Sequence, residues 1–424
     1  MIARPCRLPL LLVALAAIGI TSGCTNGTDG GTASEQEIPV GLLAPLKGPD
    51  AAAGLEAQRG ASLAADVING ANPSIPLPLA DGVGLPNLGR ARIKIVTADT
   101  QGDQQVAADA VNRLTTEQQV AAIVGAYNPT VTEVASQRAE RAEVPFINSD
   151  SAATFLTEGG RDWFFRVGPS WRAAGEAFFS LLRGLGGGAR KTLVLHPRDD
   201  AGYNVLKTVR GLSQEGGFPA PDAVNFDPSA TDLLGTVDAV RVKAPDTIFV
   251  YASPATVQPL IRAFVARQYR PKVVLSFGLG YLTARAYDDN ASAVRGLCRS
   301  VSWSTETAER NPAARAVASL YQRKYNTPMT EAAANGFTAV LTLAQAIDAA
   351  RSAEPTQIRT AMLSLDIPGD QTIMPWSGIR FDENHQNVGA QALVEQLGER
   401  TFHVVYPRDA QSRSLQLPAN GATS

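Results

Sequence analysis

Ile38-Pro-Val-Gly-Leu-Leu-Ala44, Arg92-Ile-Lys-Ile-Val-Thr97, Val120-Ala-Ala-Ile-Val124 and Val144-Pro-Phe-Ile147 are four short, largely apolar runs. Each is separated from the next by a stretch with helical spacing: Gly54 to Asn69, Gln104 to Glu117, and Thr130 to Glu140. The first of these places Leu55, Leu63 and Val67 on one face. Short apolar runs without strict alternation read as strands covered on both faces, and strand–helix alternation reads as βαβ units around a parallel sheet.

The pattern then repeats. Trp171 to Leu185 is a helix and Thr192-Leu-Val-Leu195 a strand, followed by the helix Gly202 to Glu215 and the strand Ala223-Val-Asn-Phe226. Thr231 to Val242, Thr247-Ile-Phe-Val250, Thr256 to Arg267 and Lys272-Val-Val-Leu275 continue as helix, strand, helix, strand. Two successive sets of like units predict two α/β lobes. Beyond them come Ala-rich helices over Asn311 to Tyr325 and Glu331 to Arg351, then a shorter one over Thr356 to Ser364. Strand-like pieces follow at Gly378-Ile-Arg-Phe381, Gln391-Ala-Leu-Val-Glu-Gln396 and Thr401-Phe-His-Val-Val405. Ala71 to Arg90, with four prolines and three glycines, reads as an extended loop, and the polar tail from Arg408 to Ser424 as mobile.

The N-terminus is an export address. Arg4 and Arg7 precede a greasy run from Leu8 to Ile20, which ends in Thr21-Ser22-Gly23-Cys24. That order of basic, apolar, small and cysteine residues is the layout of a bacterial secretory signal over residues 1–23, too short for a membrane span of about 20 residues. Cys24 then reads either as a lipidated first residue or as incidental to plain cleavage, since Thr21 stands where such sites usually carry an aliphatic side chain. Thr25 to Glu37 lacks any apolar residue larger than Ala33 and reads as a flexible tether.

Composition excludes several functions. The net charge is −2, and removing residues 1–23 takes away two arginines and no acid. A nucleic-acid surface needs a clustered positive excess, so none is expected. Cys298 lies in an apolar stretch and reads as a buried small hydrophobe. His196, His385 and His403 are far apart, with no carboxylate or cysteine at metal-ligand spacing, so no metal site is expected. No nucleophile elbow and no P-loop occurs. Gly184-Leu-Gly-Gly-Gly-Ala189 matches a dinucleotide spacing, but it follows a helix and precedes a strand, the reverse of what phosphate binding needs. Neither a catalytic set nor a cofactor is expected.

Ligand crevices in open α/β sheets lie beyond the carboxyl ends of the strands. After the third strand comes Gly125-Ala-Tyr-Asn-Pro-Thr130, and after the fourth Asn148-Ser-Asp-Ser-Ala-Ala-Thr154. Hydroxyl and amide side chains beside helix N-termini suit a ligand carboxylate. The same residues also serve as ordinary turn and cap residues.

Ile38 to Pro49, Asp99-Thr-Gln-Gly-Asp103, Val144-Pro-Phe-Ile147, Trp163-Phe-Phe-Arg166 and Ile367 through Asp382 together resemble the leucine/isoleucine/valine-binding family of type I periplasmic binding proteins. The resemblance runs from about Ile38 to Pro407. It implies an α/β fold of two Rossmann-like lobes joined by three crossovers, near Val167, Val301 and Phe381. The first lobe would comprise residues 38–167 plus 302–381 and the second 168–301 plus 382–407. A lipidated Cys24 and tether over 24–37 would precede them. The implied function is a solute-binding lipoprotein of an ABC importer, outside the cytoplasm and monomeric. It would close on an amino acid or related small carboxylate or amide and deliver it to a membrane permease. A ligand sensor of the same fold is the alternative.

Carried over by position, the first-lobe ligand residues are Tyr127, Asn128, Thr130, Ser149, Asp150, Ser151 and Ala152. Tyr203, Ser253 and Tyr281 are their second-lobe counterparts, with Asp199 and Asp200 as further contacts. The chain departs from the family in the loop Ser276-Phe-Gly-Leu-Gly-Tyr281, which lacks the acid that often anchors a ligand ammonium. Ala51-Ala-Ala53 replaces bulkier pocket residues, and the family's paired cysteines are missing. These departures make Asp150 the expected counter-ion for an amine.

Overall fold

The computed structural model describes residues 36–185, 190–278, 294 and 296–417. Cys24, most of the expected tether and Tyr281 lie outside the described residues.

The first sheet is fully parallel. It contains β1 (Glu37–Ala44), β2 (Arg92–Asp99), β3 (Ala122–Val124), β4 (Phe146–Asn148) and β5 (Phe164–Arg166), in the order β2-β1-β3-β4-β5. The interior strand β1 has its apolar residues covered on both faces, as the unbroken run in the sequence implies. The second sheet is mixed. It is built from β6 (Thr192–Pro197), β7 (Asp222–Phe226), β8 (Thr247–Val250), β9 (Val273–Ser276), β10 (Cys298–Val301), β13 (Leu393–Leu397) and β14 (Phe402–Tyr406), in the order β14-β13-β10-β9-β8-β6-β7. Its last two strands run antiparallel, and β11 (Asp366–Pro368) with β12 (Gly378–Arg380) forms a separate hairpin-like pair.

Both sheets reverse direction of growth at one point, between β1 and β3 in the first and between β6 and β8 in the second. At such points the helices depart to opposite faces and leave a crevice at the strand ends.

Helices α1 (Ala51–Asn69), α2 (Gln104–Thr116), α3 (Pro129–Arg141) and a short α4 (Phe155–Glu158) belong to the first set of units. The second set carries α5 (Trp171–Gly184), α6 (Asp200–Glu215), α7 (Leu234–Lys243) and α8 (Pro254–Ala266). After β10 come α9 (Thr305–Ala308), α10 (Pro312–Tyr325), α11 (Glu331–Ala350) and α12 (Pro355–Leu363). Several start on side-chain caps: Asp103 accepts from the N–H groups of Gln105 and Val106, Asn128 from Val131, and Ser170 from Ala173.

The long helix α11 returns to the first lobe and lies along α1, with their residues in one apolar core. The two helices meet at backbone contact. A Cβ on Gly60 would stand 1.9 Å from the Ala333 carbonyl oxygen, and one on Gly336 would stand 2.3 Å from that of Ala57. Gly60→Ala is therefore expected to cost about 1–3 kcal/mol, the usual range for forcing extra volume into a packed core. Urea unfolding measures it directly, and an unshifted midpoint would refute the contact.

Three findings extend or correct the sequence reading. The loop between α1 and β2 is anchored rather than loose: Ile75, Leu77, Ala80 and Leu85 are buried in the same core, and the Asp348 carboxylate accepts from Asn87 N and Nδ2, each at 2.8 Å. Strands β5, β10 and β11 add to those expected from the sequence. The tail expected to be mobile from Arg408 is tied down as far as Gln416. Gln416 N donates to Gln396 Oε1, and Gln396 Nε2 donates back to Gln416 O, both at 2.8 Å. Leu415 packs on the core, and the Asp409 carbonyl accepts from Arg310.

Candidate functional site

A cavity of about 180 Å³ opens between the carboxyl ends of the two sheets. Its first-lobe wall comes from loops that leave β1, β3 and β4, and its second-lobe wall from those after β8, β9 and β10. This is where the reversal of strand order puts a ligand.

Asn148, at the end of β4, fixes the two loops foreseen from the sequence. Its Nδ2 donates to the carbonyls of Gly125 (3.0 Å) and Ala126 (2.9 Å), and its Oδ1 accepts from Ser151 N at 3.1 Å. Tyr127, Asn128, Ser149, Asp150, Ser151 and Ala152 all line the cavity as a result. Ser253 lines it from the other lobe, at the start of α8, where it forms a capping box with Thr256. Thr130 and Tyr203 do not line it. Tyr203 is 49% exposed in the first turn of α6 and rests edge-on against His196. Asp199 caps α6 by accepting from Gly202 N at 2.7 Å, and Asp200 is exposed beside it.

Sequence reasoning missed Asp50, Trp171, Ser302, Glu331 and Asn335, all of which line the cavity, as does Tyr251, the aromatic after β8. Trp171 and Tyr251 form an aromatic wall, ring centroids 5.0 Å apart at 64°. Glu331 and Asn335 are four residues apart near the start of a largely apolar helix, so they share a face, and that spacing was a readable signal. Asp50 occupies the N-cap position of α1 without capping it. Its carboxylate instead accepts from Asn128 Nδ2 at 3.3 Å.

Three carboxyl groups thus face one space. Asp150 accepts from Asn335 Nδ2 at 3.1 Å and from Ser149 Oγ at 3.2 Å. Glu331 accepts from Ser302 N at 2.6 Å and from its Oγ at 3.0 Å. Burial pushes Asp150 up to about 6 and Glu331 up to about 7, against the smaller opposing effect of these hydrogen bonds. Burial likewise raises Asp50 above its ordinary value. The Tyr251 hydroxyl is held well above the usual range, by burial first and then by the charges of Asp199 and Asp50.

The remaining titratable groups singled out in the sequence have structural surroundings. Cys298 is buried with its thiol pushed up to about 12, as a core residue. His196 bonds the Pro197 carbonyl at 2.7 Å, His385 stacks on Phe165, and His403 pairs with Glu306 at 2.8 Å.

The comparisons agree with this geometry. The family model described as periplasmic binding protein matches residues 37–401. A Leu/Ile/Val-binding protein homolog 8 of Brucella suis is 24% identical over 93% of this chain and 96% of its own length. Homolog 7 of Brucella abortus is 22% identical over 96% of this chain and 99% of its own. Among solved structures, the leucine-binding protein LivK of Thermotoga maritima superposes with a TM-score of 0.72 at 20% identity, covering 87% of this chain and 97% of that one. LivJ of Streptococcus pneumoniae, solved with isoleucine, gives 0.72 at 21% identity, covering 88% of this chain and all of the other. With two α/β lobes, a cleft at their strand ends and a family match over nearly the whole described chain, the protein belongs to the leucine/isoleucine/valine-binding family of type I periplasmic binding proteins.

Proposed function

We propose that this chain is the extracytoplasmic solute-binding component of an ABC importer, closing its lobes on an amino acid or a related small carboxylate or amide and presenting it to a membrane permease. The observation that carries the reading is a cavity walled by both lobes, with polar loops on one side and the Trp171–Tyr251 pair on the other. A ligand touching both walls binds the closed arrangement better than the open one, which shifts the population toward closure. The family is one of substrate-binding proteins rather than enzymes, and relatives of the fold were solved with isoleucine and with leucine. No helix among the described residues is long and apolar enough to cross a membrane. A lipid on Cys24 and a tether over 24–37 would keep the binder near its permease and raise its effective concentration there.

A thermal-shift screen over the twenty amino acids, their amides, ureas and aromatic acids tests this reading. A ligand at 100 times its dissociation constant adds about 2.7 kcal/mol of stability, enough for a clear rise in midpoint. No shift from any of these compounds would count against the proposal.

A further inference from the structure

The cavity is acidic and, among the described residues, holds no compensating cation. Asp50, Asp150 and Glu331 line it, whereas no lysine or arginine does among the described residues. Among the described residues, the donors Asn128, Asn335, Ser149 and Ser302 that reach the three carboxylates are all neutral. Arg299, whose charge reaches Glu331 from behind the wall, is already engaged: its Nη2 donates to Glu395 Oε2 at 2.8 Å. Asp199, on the far side of Tyr251, adds to the negative field.

Donors are also short. Ser302 Oγ has one hydrogen and stands 3.0 Å from Glu331 Oε1 and 2.8 Å from Asn335 Oδ1, so it satisfies one acceptor at a time. The side-chain amides that would otherwise hold a ligand carboxylate point at the pocket's own acids: Asn128 at Asp50, Asn335 at Asp150. Independently of the acids, Ser151 lines the same cavity with its Oγ buried and without a hydrogen-bond partner, and the residue is 2% exposed. A buried, unpaired hydroxyl beside a cavity is a place for a ligand's polar group. The acids do not converge as metal ligands: among the described residues no group of three or more His, Cys, Asp or Glu could hold an ion. The cation the site fits is therefore extended and organic.

Resting on the solute-binding reading above, we infer that the ligand is a net-positive amine or guanidine compound, whose N–H groups are shared among Asp50, Asp150, Glu331 and the Ser151 hydroxyl. Such a ligand supplies the charge its carboxylates need, which pairs buried charge that is costly alone. A neutral zwitterion such as leucine leaves two of the three acids unpaired.

Calorimetry and thermal shift on the purified mature chain with arginine, agmatine, putrescine and spermidine, against leucine, isoleucine and glutamate, test the inference. At least one of the four amines is expected to bind more than tenfold tighter than leucine. Asp150→Asn and Glu331→Gln are each expected to weaken that amine at least tenfold while the ligand-free midpoint is maintained or raised, which separates lost recognition from lost folding. Tighter binding of leucine or glutamate overturns the charge assignment and leaves the solute-binding reading standing. Unchanged amine affinity in both variants overturns it too, as does silence from all four amines. The solute-binding reading itself falls only if the wider screen is silent as well.

Discussion

Replacing Arg166 by methionine is expected to lower stability by about 2–4 kcal/mol, because it strips the donor from several buried acceptors at once. Arg166 ends β5 and is 1% exposed. Its Nε donates to Gln386 Oε1 at 2.5 Å, its Nη2 to Thr157 Oγ1 at 2.9 Å, and its Nη1 to the Ala153 carbonyl. The main chain continues the junction: Arg166 N donates to His385 O and Asn387 N to Arg166 O, both at 2.9 Å. Gln386 Nε2 in turn reaches Gly168 O at 3.0 Å. One guanidinium thus joins the passage from β5 to α5, the return segment before β13, and the loop that carries Ser149 to Ala152. Burial draws it down to about 9, with the charges of Asp382 and Glu158 opposing, so it remains charged at neutral pH. Arg166→Lys keeps the charge and loses the fork, and its midpoint should fall between the other two. Urea unfolding of the three proteins decides the matter. A midpoint unchanged in the methionine variant would show that the junction does not depend on this side chain.

The second large effect is a gain. The double variant Asp150→Asn/Glu331→Gln should be more stable than the native chain at pH 8 in the absence of ligand. Both acids hold their proton more tightly folded than unfolded, with values of about 6 and about 7 against 3.8 and 4.5. Between pH about 4 and about 7 the folded state therefore binds more protons, and stability falls as pH rises through that window before levelling off. At pH 8 the cost is roughly 2–3 kcal/mol for each acid, allowing for water that reaches the cleft. The amides keep an acceptor for Asn335 and Ser302 while removing the buried charge. Thermal midpoints from pH 4 to 8 should diverge toward alkaline pH and converge toward acid. A double variant less stable than the native chain at pH 8 would overturn this. The same acids must ionise to hold a cation, so amine affinity should weaken as pH falls from 8 to 5.5, the opposite direction to ligand-free stability. Recognition and stability compete at this site.

Much of the architecture was legible in the chain. Runs such as Ile38 to Ala44 and Thr247 to Val250 are apolar on both faces because both faces are covered, and that burial leaves a pattern in sequence. Strand β10 was missed because Cys298-Arg-Ser-Val301 carries its identity in its neighbours, β9 on one side and β13 on the other, far away in sequence. The tail was misjudged for a similar reason, since the Gln396–Gln416 pair exists only once β13 is placed.

Within the site, the loops at Tyr127–Asn128 and Ser149–Ala152 could be found because they follow buried strands directly. Glu331 and Asn335 could not be assigned in the same way. Their spacing marks one helix face, but only the return of α11 against α1 turns that face to the cleft. Asp50 gives no sign of its role in the sequence, and only the structure shows its carboxylate, at the N-cap position of α1, directed to Asn128. The foreseen counter-ion Asp150 is thus one of three acids, two of which depend on long-range topology.

The claim that holds these parts together is closure of the two lobes on a ligand. Small-angle scattering of the purified mature chain, alone and with saturating amounts of whichever amine or amino acid binds most tightly by calorimetry, tests it most directly. Closure is expected to reduce the radius of gyration on saturation, and Arg166→Met to blunt that change. A scattering curve that stays the same while calorimetry reports full occupancy would contradict the account.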